Sequence, residues 1–163
     1  MMQSLPDNLR LRLACNGDAD ALRALVFGIL AEFGVRPGPA ATDADLDDIE
    51  GRYLRAGGIF EVVTDSAGTI VASVGLLPID SDACELRKMY VAPALRGKGL
   101  GKFLLERAIA YARARGFSHL ELETASVLKQ AIRLYTAAGF RQVRKDGLAS
   151  RCDQAWVLEL ARA

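Results

Sequence analysis

Apolar and charged residues alternate strictly over residues 9–14 (Leu-Arg-Leu-Arg-Leu-Ala), the period-two pattern of a half-buried strand. The period then lengthens. Ala21, Leu22, Leu25, Val26, Ile29 and Leu30 recur at helical spacing behind the N-cap types Asn16 and Asp18, and Gly34 closes the run. Arg36-Pro-Gly-Pro39 breaks the chain, and Thr42 or Asp43 is placed to cap a second helix through about Leu54, stopped by Gly57-Gly58. Ile59–Thr64 and Thr69–Leu77 are β-rich runs joined by Asp65-Ser-Ala-Gly68, a hairpin signal. A further strand, about Cys84–Val91, ends at Pro93.

Beyond Pro93 a glycine-rich turn, Gly97–Gly101, leads into a helix ending at Gly116, with Leu104, Leu105, Ala108, Ile109 and Ala112 on one face. Ser118–Thr124 alternates as a strand. Ser126 is expected to cap a helix whose stripe is Leu128, Ala131, Ile132 and Tyr135, ending at Gly139. Arg141–Lys145 and Ala155–Leu160 are the last predicted strands. The order β-α-α-β-β-β-α-β-α-β-β predicts an α+β fold, a mixed sheet flanked by helices. With no repeat, linker or low-complexity stretch, residues 1–163 are expected to form one domain with its core at about 9–160.

Composition narrows the function classes. The 163 residues are 51% hydrophobic and 25% charged, values of a globular protein rather than a disordered chain. No apolar run approaches the roughly 18 residues that span a bilayer, and Met1–Arg10 lacks an apolar signal core, so a cytoplasmic protein without a membrane partner is expected. Cys15, Cys84 and Cys152 are far apart and His119 is the sole histidine, which leaves no Cys/His zinc spacing and no metal is expected. Net charge is +1, yet residues 1–84 carry −7 and residues 85–116 carry +6. A near-neutral total argues against nucleic acid, whereas a short basic block points to a small anionic ligand.

That block contains the strongest chemical signal. Arg96-Gly97-Lys98-Gly99-Leu100-Gly101-Lys102 joins a strand to a helix. Its glycines free the backbone to turn N–H groups inward, the helix N-terminus adds partial positive charge, and Arg96, Lys98 and Lys102 add full charges, all of which favour a phosphate. A Walker loop needs a Ser or Thr after its lysine, but Phe103 follows Lys102 and Gly99 follows Lys98; a dinucleotide fingerprint would place its third glycine on Lys102 or Leu104.

What fits is R-x-x-G-x-G, spelled by Arg96, Gly99 and Gly101, preceded by E-L-R-K-M-Y-V-A-P and followed by A-I-R-L-Y-T-A-A-G-F. On these residues the stretch from about Glu85 to Phe140 resembles the GNAT superfamily of acetyl-CoA-dependent N-acetyltransferases. The resemblance implies a centrally splayed sheet and acetyl-CoA as co-substrate. It places the pantetheine arm along Met89, Tyr90 and Val91 and the pyrophosphate on Arg96, Gly97, Lys98, Gly99, Leu100, Gly101 and Lys102. It also implies an amine acceptor and, at family level, a homodimer.

A thioester needs little activation, so backbone N–H groups near Val91 suffice for the oxyanion. The ammonium form of the acceptor must first lose a proton. By alternation Glu85 shares a face with Arg87, Met89 and Val91; it is read either as the base or as an ion-pair partner of a neighbouring arginine. Tyr135 is read as the acid for the departing thiolate or as a core tyrosine on its apolar stripe. The acidic run Asp43–Glu50 is a solvated first helical turn or the border of an acceptor site, much of which is expected from residues 27–58. Arg87 meets an acceptor carboxylate or pairs with Glu85, and His119 is expected to be structural. The alternative to an enzyme is a catalytically silent acyl-CoA-binding or regulatory domain.

Overall fold

The computed structural model describes residues 4–160. Met1–Gln3, part of the stretch searched for a signal, and Ala161–Ala163, the end of the expected domain, lie outside the described residues. Seven strands form one mixed sheet: β1 (Arg10–Leu13), β2 (Ile59–Thr64), β3 (Ile70–Pro78), β4 (Ala83–Val91), β5 (His119–Thr124), β6 (Arg141–Val143) and β7 (Gln154–Glu159). Their spatial order is β1-β2-β3-β4-β5-β7-β6, antiparallel throughout except for the β4–β5 pair. Three α-helices accompany them: α1 (Ala19–Glu32), α2 (Leu100–Ala114) and α3 (Lys129–Ala138). The predicted hairpin forms as Asp65 Oδ1 accepts the amides of Ala67 and Thr69, closing the β2–β3 turn.

Alternation along β2 divides the core. Val63 joins a cluster with Leu104, Leu105 and Ala108 of α2 and Tyr135 of α3, whereas Val62 joins Leu22 of α1, Leu46, Ile49 and Tyr53. The sheet is therefore covered on both faces, as its apolar strands require. No helix among the described residues is long and apolar enough to cross a membrane.

The second predicted helix is corrected. Ala40–Asp48 is a 3₁₀ stretch broken at Asp43 (φ −111°, ψ 18°), and Glu50–Leu54 is a single π turn. The acidic run is solvated only in part: Asp47 is exposed and Asp48 half-exposed, but Asp43 and Asp45 are buried. Both reach one lysine, and an α-helix would turn residues two apart to opposite sides, about 200° from one another. Ser126 does not cap α3 either; its amide and hydroxyl both donate to Asp153 at 2.7 Å, and Leu128 precedes the helix.

At the start of α1, Asp18 accepts two hydrogen bonds from Arg12 (2.8 and 2.9 Å) and one from the Cys15 amide (2.9 Å). The Arg12 bonds chiefly hold its carboxyl down at about 2. Because this lies below the unfolded value of about 3.9, the stabilisation is complete above roughly pH 4 and lost as pH falls towards about 2. Asp18→Asn is expected to flatten the acid limb of the thermal midpoint between these pH values; an unchanged limb would assign it to other carboxylates.

Candidate active site in the sheet cleft

β4 and β5 pair only at Ala83–His119, Cys84–Leu120 and Glu85–Glu121. β4 continues to Val91 without β5 beside it, so the sheet splays and leaves the backbone edge of Leu86–Val91 facing a cleft. A cavity of about 650 Å³ fills the cleft, lined by this edge, Arg96, Gly97 and Gly99–Lys102, the first turns of α3, and Gly147, Ala149, Arg151 and Cys152 of the 147–152 loop. A strand edge with free amide and carbonyl groups accepts another extended, amide-bearing chain.

At one end lies the glycine turn. Gly97 (φ 75°) and Gly99 (φ 87°) both adopt the left-handed conformation that glycine enters without steric cost. Gly99 opens α2 with no side-chain cap, and Phe103 N–H to Gly99 C=O at 3.0 Å is the first helical bond. The amides of Leu100, Gly101 and Lys102 thus start the helix with no partner four residues back, where an anion is favoured. A Cβ on Gly97 would meet nothing within 4 Å, so the space in front of the turn is open. Of the expected cations, Arg96 lines the cavity but also donates to Val91 C=O (3.1 Å), pairs with Glu32 and stacks on Phe33 at 5.3 Å. Lys102 lines the cavity too, with Glu106 at 3.8 Å; Lys98 is exposed and does not line it.

At the other end β4 breaks its alternation. Lys88 has φ 54°, and the β3–β4 register slips between Ser73 and Gly75. Gly75 is required there, because a Cβ would lie 2.9 Å from the rings of both Tyr53 and Phe60. The bulge turns the consecutive residues Arg87 and Lys88 to one side: Asp45 Oδ1 is 3.6 Å from Arg87 Nη2 and 3.2 Å from Lys88 Nζ. Met89 and Val91 instead pack with the α2 core, so the expectation that they share the Glu85 face is corrected. Lys88 Nζ also meets Asp43 at 3.1 Å, Arg151 grips Asp43 with two bonds of 2.9 Å, and the Tyr53 hydroxyl donates to Asp45. Burial lowers the Lys88 pKa; for Asp43 burial pushes upward, but the Arg151 bonds and Lys88 outweigh it and leave the carboxyl lowered.

Glu85 faces the cavity with Oε1 3.4 Å from Arg87 Nε. Burial raises its pKa above the ordinary carboxylate value, Arg87 pulls it down, and Glu123 pushes it up again. Tyr135 is 5% exposed, and its hydroxyl makes no hydrogen bond among the described residues. No buried side-chain oxygen among the described residues lacks a partner, so this hydroxyl opens onto the cavity. Burial raises its pKa, so at neutral pH it is a phenol able to donate. Tyr90 stands nearby, pushed up to about 12 by burial.

The profile of the acetyltransferase (GNAT) family matches residues 27–140, a span that contains the end of α1 and all of β2–β5, the glycine turn, α2 and α3. The chain belongs to that family. YjgM, an uncharacterized N-acetyltransferase of Escherichia coli (strain K12), is 38% identical over 131 residues, 77% of this chain and 78% of its own. A GNAT-family acetyltransferase of Staphylococcus aureus Mu50 shares the fold with a TM-score of 0.87 at 22% identity, over 94% of this chain and 99% of that one. YncA of Salmonella typhimurium, solved with its cofactor acetyl-CoA, gives 0.73 at 23% identity over 96% of both chains. The protein is thus a GNAT acyltransferase, with the α+β fold and splayed mixed sheet expected of it.

In this acetyltransferase the cleft brings together Glu85, Met89, Tyr90, Val91, Arg96, Gly97, Gly99, Leu100, Gly101, Lys102 and Tyr135. Sequence reading missed Lys88, Arg151, Glu123 and Cys152, which line the same cavity. Glu123 anchors the loop that carries two of them, through Lys145 (2.9 Å) and the Ala149 amide (2.9 Å). Gly75 inside a strand pattern was the available signal for the bulge; nothing local marked Arg151. His119 pairs with Glu121 at 3.1 Å on β5.

Proposed function

We propose that this acetyltransferase moves an acetyl group from acetyl-CoA to a primary amine by direct attack, with Glu85 as base and Tyr135 as acid. The observation that carries the reading is the unpaired edge of β4 running from Leu86 to the glycine turn, one continuous groove with the open amides of α2 at one end and the raised carboxyl of Glu85, the last paired residue, at the other. The amides of Leu100–Lys102, with Arg96 and Lys102, would hold the pyrophosphate, and the Leu86–Val91 edge the pantetheine arm. Acetyl-CoA supplies a thioester, an acetyl group already activated towards amines. Glu85 receives the proton that the amine loses as its nitrogen bonds the acetyl carbon; Tyr135 Oη returns one to the sulfur as the C–S bond breaks.

Calorimetric titration with acetyl-CoA, CoA and ATP tests the reading: micromolar binding of both CoA species and none of ATP is expected. Absence of CoA binding would overturn it. Tyr135→Phe is expected to lower kcat by about 10²-fold with cofactor affinity nearly intact; an unchanged rate removes the acid role and turns attention to Tyr90. Glu85 must be ionised to act, and its pKa is raised, so kcat/KM is expected to climb through a limb above the ordinary carboxylate range. Glu85→Gln should erase that limb; its persistence would assign the base elsewhere.

A further inference from the structure

Arg87, Lys88 and Arg151 line the cavity near Glu85, but the aspartates that balance them, Asp43 and Asp45, do not. The acceptor end of the cleft therefore presents cations in front and keeps their counter-ions behind. The three cations are not equivalent. Arg151 gives both Nη atoms to Asp43 and one of them also to Pro37 C=O at 3.4 Å. Lys88 is enclosed, with its side chain 2% exposed between two carboxylates. Arg87 uses Nη2 on Thr42 C=O (3.1 Å) and lies near Glu85 through Nε, but Nη1 makes no hydrogen bond among the described residues. Its side chain is 23% exposed, and the cavity is where that exposure lies.

One unengaged guanidinium nitrogen thus stands beside a raised, proton-accepting carboxyl, on the same strand two residues away. An opposite pair this compact is complementary to a compact zwitterion. We infer that the acceptor is a small α-amino acid, its carboxylate on Arg87 Nη1 and its amine on Glu85. The inference rests on the proposed acetyl transfer and names its acceptor class. A second feature bears on the class. Arg151 ties the 147–152 loop to Pro37 and Asp43, and Ala41, Thr42, Ala149 and Cys152 line the same cavity. A lysine within a protein brings an amine but no α-carboxylate for Arg87; a free amino acid brings both. Arg87 is then a substrate-binding group, and Lys88 and Asp45 are positioning residues that fix its backbone and Nη2.

The test uses the full chain with acetyl-CoA and follows free thiol and acetylated product. Acceptors are compared in matched sets: an α-amino acid, its amide, and the decarboxylated amine with the same side chain. The amino acids are expected to exceed both analogues at least about tenfold in kcat/KM, the range of one charge-assisted contact. Because Arg87 also holds the Glu85 pKa down, Arg87→Met is read on the alkaline plateau, where Glu85 is ionised: kcat/KM for the amino acid is expected to fall at least about tenfold more than that for its amide; a merely structural Arg87 would depress both equally. Equal or better use of amides and amines, or no amino acid acetylated, overturns the inference even if Arg87→Met does not fold, because wild-type protein suffices. Acetyl-CoA binding by calorimetry separates the failures: binding with the wrong acceptor preference sinks only the amino-acid assignment, and no binding sinks the acetyl-transfer reading with it.

Discussion

Lys88→Met is expected to destabilise the protein by about 3–5 kcal/mol and to lower its thermal midpoint by roughly 10 °C. Lys88 sits between Asp43 and Asp45 with all three side chains at most 4% exposed. Removing the ammonium leaves two buried carboxylates with only Arg151, Arg87 and the Tyr53 hydroxyl to answer them. The penalty is that of an uncompensated buried charge, which exceeds the net worth of the pair itself. Denaturant unfolding of Lys88→Met, Asp45→Asn and the double variant checks it. The double variant should lose markedly less than the sum of the two single losses, because neutralising Asp45 removes part of what Lys88 balances. Additive losses, or a midpoint within about a degree of wild type, would show that the cluster is loosely coupled and solvated.

Gly99→Asp is expected to weaken acetyl-CoA binding by about 10²-fold or more. The residue holds φ 87° at the mouth of α2, where unpartnered amides face the cavity. An aspartate there puts a side chain into the anion cradle and a negative charge where the phosphate would sit, while its carboxylate satisfies the same amides. Both Asp and Asn are strained at φ 87°, though less than most residues, so their thermal midpoints are measured beside the affinity. Calorimetry on Gly99→Asp and Gly99→Asn separates charge from shape: a large loss for Asp with a smaller one for Asn is expected. Wild-type affinity in Gly99→Asp would refute the phosphate role of the turn.

Much of this site was legible before any coordinates. The stripe on α2, the stripe ending at Gly139, the hairpin at Asp65–Gly68 and the glycine turn all depend on neighbours within a few residues, and each forms where its pattern lies. Glu85 and Tyr135, 50 positions apart, both face the cavity. The errors share one cause. The caps and composition of Thr42–Leu54 predict an α-helix, but burying Asp43 and Asp45 on one lysine and Leu46, Ile49 and Tyr53 in the core imposes 3₁₀ and π turns instead. Likewise, strict alternation placed Met89 and Val91 with Glu85, until the bulge at Lys88 reversed the faces.

The sequence by itself determined most of the elements, the glycine turn and the resemblance that its glycines carry, because backbone freedom, helix ends and hydrophobic period are local properties. Only the tertiary structure decided where β4 parts from β5, that Asp43 and Asp45 are buried partners of Lys88 rather than a solvated face, and that Arg151 bonds Asp43 from 108 residues away. Those outcomes depend on which charges share a low-dielectric space, and that is set by packing between distant segments rather than by any window of the chain.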